Sequence, residues 1–352
     1  MKRLLPLILF GFVAVGLTMC KPAVTPSASI SDEAAFDSLI TYIERSGDII
    51  NGPSTPALMS AQELYTHLDS GYLVVDIRNE EAFAAAHIEN AVNVPLEGLL
   101  HFFENRVDAN GFKKIAITCY SGQTASYATS LIRLLGYSNV YALKWGMGGW
   151  TEDGSVWAKR ISSRYEPLVE QTDNMQNPAG KFPGLLVKNR TGYSILRERV
   201  QQVLADGYDV ANIKPDTLFA PNHGFYVVNY WPKPDYMVGH IPGAVRYQPK
   251  SSLKRSTQLS TLPADSPIAV YCYTGQHSAF VTAYLRVLGY DAKSLSFGAN
   301  GFMNGLMLKA HIHSAFTPAE IVNFPVVAGS NGSVAKALEP QVNVVEKPRG
   351  GC

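Results

Sequence analysis

Short apolar runs alternate along this chain with longer stretches of helical spacing. Residues 72–76, 115–118 and 140–143 are runs of Val, Ile, Leu and Ala bounded by turn residues, and each reads as a buried strand. Residues 60–68, 99–107 and 124–135 repeat apolar positions every three to four residues and read as helices, the first with Ser60 as its N-cap. Residues 31–50 carry another amphipathic pattern, opening with SDEAAF, and 51–55 form a turn. His87-Ile88 and residues 92–94 suggest a further short strand after a turn. This alternation predicts α/β architecture, a mainly parallel sheet flanked by helices.

The pattern then repeats. A constant offset of 153 residues maps Cys119 onto Cys272, Gly122 onto Gly275, Gln123 onto Gln276 and Gly136 onto Gly289. The same offset relates Phe83 to Tyr236, His87 to His240, and LVVD ending at Asp76 to YVVN ending at Asn229. After the helix one residue drops out, and KWGMGGW (144–150) faces SFGANGF (296–302). Such a period is far longer than a solenoid unit, so it marks two homologous domains. The expected organisation is a leader at 1–20, a tether with a helix at 21–52, domain 1 at 53–160 and a Pro-containing linker with a helix at 161–210. Domain 2 follows at 211–310, and a tail at 311–352 has a poorly ordered end.

Composition refines this picture in three places. A chain of 352 residues with 46% hydrophobic residues can fill two cores. A net charge of +1, without a Lys/Arg cluster, argues against nucleic acid and against electrostatic membrane binding. The start has the form of a signal segment: Met1-Lys2-Arg3 is basic, 4–19 is apolar, and Cys20 precedes a Pro/Ser-rich stretch. LTMC at 17–20 resembles a bacterial lipobox, with Met19 where a small residue is usual, which makes Cys20 the expected lipidation site. Ordinary secretion and an uncleaved anchor are the alternatives, and all three place the body outside the cytosol; the expected place is the cell envelope, lipid-anchored in the periplasm or at the outer membrane. With Cys20 assigned to processing and Cys352 at the terminus, the four cysteines offer no structural disulfide.

The chemistry concentrates at Cys119 and Cys272. Each follows an apolar run and enters a Gly-containing loop that leads into a helix: CYSGQTA (Cys119, Tyr120, Ser121, Gly122, Gln123, Thr124, Ala125) and CYTGQHS (Cys272, Tyr273, Thr274, Gly275, Gln276, His277, Ser278). Such a loop gathers backbone N–H groups around a thiol and is expected to lower its pKa. Ser121, Thr124 and Thr274 can add hydroxyl donors.

These motifs resemble the rhodanese family of sulfurtransferases in tandem form. The resemblance covers about 60–150 and 215–302. Domain 1 carries it in Asp76-Ile77-Arg78, Phe83, His87-Ile88, Ala91, the Cys119 loop and Gly148-Gly149-Trp150; domain 2 in Tyr236, residues 239–244 (GHIPGA) and the Cys272 loop. The departures are complementary. Domain 1 reads AHIENA where the family favours GHIPGA; domain 2 has Asn229 and Trp231 where the family favours Asp and Arg. Neither loop has the arginine many members carry, for Thr124 and His277 stand there.

The resemblance implies a cysteine persulfide that carries sulfane sulfur from a small anionic donor such as thiosulfate to a thiol, cyanide or protein acceptor, with no cofactor and no metal. Cys119 and Cys272 are the expected nucleophiles, domain 1 being the more complete, and Asp76 with Arg78 the expected support pair. A non-catalytic sulfur-relay or binding module is the alternative. A dual-specificity phosphatase is disfavoured because its loop needs an arginine. His87 and His240 are expected to fix turns, Trp145, Trp150, Phe297 and Phe302 to line core or pocket, and His311 and His313, lacking a third ligand, to lie on the surface.

Overall fold

A computed structural model describes residues 32–152 and 156–330. The leader, Cys20 and Cys352 lie outside these residues.

The first half runs α1 (Asp32–Arg45), β1 (Leu58–Met59), α2 (Ala61–Thr66), β2 (Tyr72–Asp76), α3 (Glu80–Ala85), β3 (Val92–Asn93), α4 (Leu99–Asn105), β4 (Lys114–Thr118), α5 (Gln123–Leu134), β5 (Val140–Leu143) and α6 (Met147–Trp150). The second half runs α7 (Gly192–Asp206), β6 (Asn212–Ile213), α8 (Pro215–Leu218), β7 (Tyr226–Asn229), α9 (Lys233–Tyr236), β8 (Val245–Arg246), β9 (Ile268–Tyr271), α10 (Gln276–Val287), β10 (Ala292–Leu295) and α11 (Asn300–Lys309). Each half folds around a five-stranded, all-parallel sheet, ordered β1-β5-β4-β2-β3 in one and β6-β10-β9-β7-β8 in the other. The predicted fold class is therefore the observed one. The continuous burial of β2, β4 and β9 fits sheets covered on both faces.

Ser60 caps α2, accepting from the Glu63 N–H as its position suggested. The helices after the cysteine loops depart from a simple amphipathic reading. Every residue of α5 except Thr124 is buried, and α10 is nearly as enclosed. A helix covered all round sits inside the protein. The two helices pack against each other between the two sheets, and small residues such as Ala125, Ser126, Ala128 and Ser130 on α5, and Ala279 and Ala283 on α10, allow the close approach.

One apolar cluster consequently spans both halves. It joins Val75, Ile115, Ile117, Leu131 and Ile132 to Val228, Val270, Phe280, Val281 and Leu285, with α1 and α7 completing it through Phe36, Leu39, Ile195 and Val200. Separate clusters cover the outer face of each sheet, around Phe83, Leu143 and Trp150 in domain 1 and around Trp231, Tyr271 and Phe302 in domain 2. The connecting segments hold the halves together as well. Residues 161–188 run along domain 2, where Glu170 pairs with His240 as an isolated antiparallel bridge. Residues 317–330 return to domain 1: Val322 and Phe324 donate to the Gly149 and Trp150 carbonyls, and Val327 bridges His87.

Because the largest core is common to both halves, the chain should unfold in one calorimetric transition. Phe280→Ala should cost about 3–5 kcal/mol and lower that single transition as a whole. Two resolved transitions, or a shift confined to half of the unfolding enthalpy, would contradict the shared core.

Candidate active site

Both cysteines lie where parallel sheets commonly place chemistry, just beyond the carboxyl ends of central strands. Cys119 follows β4 and Cys272 follows β9. Gly122 and Gly275 adopt left-handed conformations, φ 83° and φ 79°, which turn the chain sharply into α5 and α10. The Cys119 Sγ accepts from the Gly122 N–H at 3.2 Å and the Ala125 N–H at 3.4 Å. The Cys272 Sγ accepts from the Ser278 N–H at 3.2 Å. Both thiols are free and buried.

A second loop backs each cysteine. After β5, Met147 and Gly148 donate to the Cys119 and Tyr120 carbonyls, and after β10, Ala299 and Asn300 donate to the Cys272 and Tyr273 carbonyls. The aromatic residues expected at core or pocket positions divide accordingly: Trp145, Trp150 and Phe302 are buried, and Phe297 is partly exposed. His87 and His240 each stack on the aromatic residue four positions back, Phe83 or Tyr236, and bond its carbonyl through Nδ1, which fixes the turn. His311 and His313 are exposed.

The two sites differ in their surroundings. In domain 1 Asp76, at the end of β2, is held by Arg78 in a buried pair, with Nη2 to Oδ2 at 2.6 Å, and Arg78 also donates to the Ala86 carbonyl at 2.6 Å. Asn93 donates to the Asp76 and Arg78 carbonyls. The Arg78 guanidinium lies 5.6 Å from the centre of the Tyr120 ring, so the pair reaches the cysteine loop through an aromatic face. In domain 2 Trp231 takes the place of Arg78 and stacks on Tyr273 with 4.7 Å between centroids. The Tyr273 hydroxyl bonds Asp235, and Asn229 replaces Asp76 in full burial. An aromatic cover thus stands where domain 1 has an ion pair.

The other loop residues fall as follows. Ser121 Oγ accepts from Gln123 Nε2, and Thr274 Oγ1 accepts from the Gln276 N–H, so these hydroxyls serve the loop backbone and its amides rather than sulfur. Thr124 is half-buried. Burial pulls His277 down to about 3 and leaves it neutral at ordinary pH, so it supplies no charge in the place of an arginine. A residue not singled out from sequence is Ser294 on β10. Its hydroxyl lies 2.8 Å from that of Ser278, which the Cys272 thiol approaches at 3.6 Å. Alternation along β10 could have shown Ser294 as an inward polar residue. Sequence also gave no sign that the two glutamines cross between domains.

The expected lowering of the thiol pKa does not hold at Cys119. Burial pushes this thiol up, against the Ala125, Ser121 and Gly122 N–H groups, and the Asp76 carboxylate adds to the rise. Desolvation of a thiolate here outweighs the backbone dipoles.

A cleft of about 630 Å³ opens beside the Cys119 loop, lined among others by Tyr120 and Ser121, by Lys159, Arg160 and Arg164, and by Lys214, Asp216 and Phe297 of domain 2. Arg164 pairs with Asp216 at 3.6 Å. Among the described residues no group of three His, Cys, Asp or Glu side chains could hold a metal.

A thiol at a strand-to-helix turn, repeated in two parallel α/β domains, defines a class of cysteine-loop protein. The family model for the rhodanese-like domain matches residues 60–153 and 224–304. Thiosulfate sulfurtransferase GlpE of Shewanella oneidensis is 32% identical over 79 residues, 22% of this chain and 75% of that protein. The GlpE of Pseudomonas entomophila is 33% identical over 81 residues, 23% of this chain and 71% of that protein. The GlpE of Haemophilus influenzae is 27% identical over 92 residues, 26% of this chain and 85% of that protein. The chain belongs to the rhodanese family of sulfurtransferases and carries two rhodanese-like domains.

Because the folded Cys119 thiol is raised, it stays protonated through neutral pH. Iodoacetamide labelling of Cys119 should rise with pH about a midpoint above the ordinary thiol value of about 8.5, and unfolding should return it to that value. A midpoint below the ordinary value in the folded protein would show that the N–H groups prevail.

Proposed function

We propose that this protein is a sulfurtransferase that carries sulfane sulfur on Cys119, taking it from a small anionic donor such as thiosulfate. The observation that carries this reading is the pair of N–H groups, Gly122 and Ala125, directed at Cys119 Sγ at the start of α5. Charge that collects on the sulfur meets donors already in place, which offsets part of the cost of burying that charge.

The Cys119 thiol first gives up its proton to solvent, and the thiolate attacks the outer sulfur of thiosulfate. The new S–S bond forms a cysteine persulfide, the old S–S bond breaks, and its electron pair leaves with sulfite. An acceptor such as cyanide or a thiolate then attacks the outer persulfide sulfur, takes it as thiocyanate or a new persulfide, and returns the Cys119 thiolate. This is covalent catalysis in two displacements. The basic cleft beside Tyr120 and Ser121 gives an anionic donor its approach. The Asp76–Arg78 pair holds the loop without exchanging protons, and Cys272 under its aromatic cover is the lesser site.

A second reading rests on burial: Cys119 is 4% and Cys272 1% exposed, which suits a sulfur-relay module opened by a partner protein. The body is proposed to work in the cell envelope, tethered by a lipid on Cys20; if wild type and Cys20→Ala distribute equally in the soluble envelope fraction, the tether is wrong.

In a steady-state thiosulfate–cyanide assay, Cys119→Ser should lose at least about a hundredfold in rate, and Cys272→Ser less than about fivefold. Full loss from Cys272→Ser alone reverses the assignment of sites. An inactive wild type that still accepts sulfur from a protein persulfide favours the relay reading.

A further inference from the structure

The two loops touch through their glutamines. Gln276, the first residue of α10, is fully buried, and its side chain leaves domain 2 altogether. Its Nε2 donates to the Gly122 and Leu143 carbonyls, each at 3.3 Å, and its Oε1 accepts from the Trp145 N–H at 3.0 Å. Gly122 and Trp145 belong to the two loops of domain 1 that enclose Cys119, and Leu143 ends β5, from which the second of those loops starts. Gly122 is the decisive one, because its N–H donates to Cys119 Sγ at 3.2 Å while its carbonyl accepts from Gln276. The reciprocal contact is weaker. Gln123 Oε1 accepts from the Phe297 N–H at 2.7 Å, in the turn behind Cys272, but its Nε2 is engaged by Ser121 of its own loop at 2.9 Å. Steric fit closes the arrangement from both sides: a methyl group at Gly122 would overlap the Gln276 amide, and one at Gly275 would overlap that of Gln123.

We propose that Gln276 is a positioning residue for Cys119, acting across the domain boundary, and that with Gln123 it joins the two cysteine loops into one coupled unit. This rests on the loops being the reactive sites proposed above. A glutamine that only filled space could be replaced by leucine with little consequence for sulfur. One that pins the Gly122 peptide sets the direction of an N–H on the sulfur, so its loss must appear in the reactivity of a cysteine in the other domain. The groups within electrostatic reach of Cys119 are Asp76 and Tyr208, with Arg78 beyond Asp76, and the substitutions below alter none of them.

The test is iodoacetamide labelling of the full chain, followed separately for the Cys119 and Cys272 peptides across pH. Gln276→Leu should raise the Cys119 midpoint and slow its labelling at neutral pH about three- to tenfold, the scale of one ordinary neutral hydrogen bond. Gln276→Glu should act in the same direction, since a carboxylate repels the Gly122 and Leu143 carbonyls. Gln123→Leu should shift Cys272 by a smaller factor. If the leucine variant does not fold, Gln276→Asn decides, being polar but too short to reach Gly122. In the unaltered protein, blocking either cysteine should change the labelling rate of the other. Cys119 kinetics unchanged in a folded Gln276 variant, or independent rates at the two cysteines, overturn the coupling and leave the proposed function standing. Cysteines that label only on unfolding overturn both.

Discussion

The structure depends on one constraint: α5 and α10 pack against each other inside the molecule, and each follows directly on a cysteine loop. Packing them removes both helices from water and merges the inner cores of the two sheets into one cluster. It also brings the two cysteine loops together at the helix starts, where each glutamine bonds the other domain's backbone. The burial that stabilises the fold is thus the same burial that raises the Cys119 thiol. Fold and reactivity oppose each other at this sulfur, and the Gly122 and Ala125 N–H groups act in the direction of reactivity.

The halves have diverged around this common plan. Domain 1 keeps an Asp76–Arg78 pair whose guanidinium lies against a half-open tyrosine, beside a cleft with basic walls. Domain 2 has replaced the pair with Trp231 stacked on Tyr273 and placed Ser278 and Ser294 behind the thiol. A neutral His277 leaves the second loop without a cation. Polar support with an adjoining opening in one half, and apolar cover in the other, form the physical basis for assigning sulfur chemistry to Cys119.

Much of this was legible in the residues. Short buried apolar runs located the central strands, Ser60 marked a helix start, and the offset of the repeat located both cysteine loops. Three features were not legible. Apolar periodicity in α5 showed one covered face, but Ser126, Thr129 and Ser130 hid the second, because small polar residues read as solvent-facing until a partner helix is known. The return of 317–330 to domain 1 rests on backbone bonds and on Trp145 Nε1 donating to Glu320, which no local pattern encodes. The sign of the Cys119 shift depends on how deeply the loop is covered, which follows from packing between domains rather than from the loop itself.

The central claim, that Cys119 carries transferable sulfur, is tested most directly by the mass of its peptide. After incubation with thiosulfate and removal of excess donor, the Cys119 peptide should be heavier by one sulfur atom, and cyanide should return it to its original mass with release of thiocyanate. An unchanged Cys119 peptide alongside a sulfur-loaded Cys272 peptide would contradict the account.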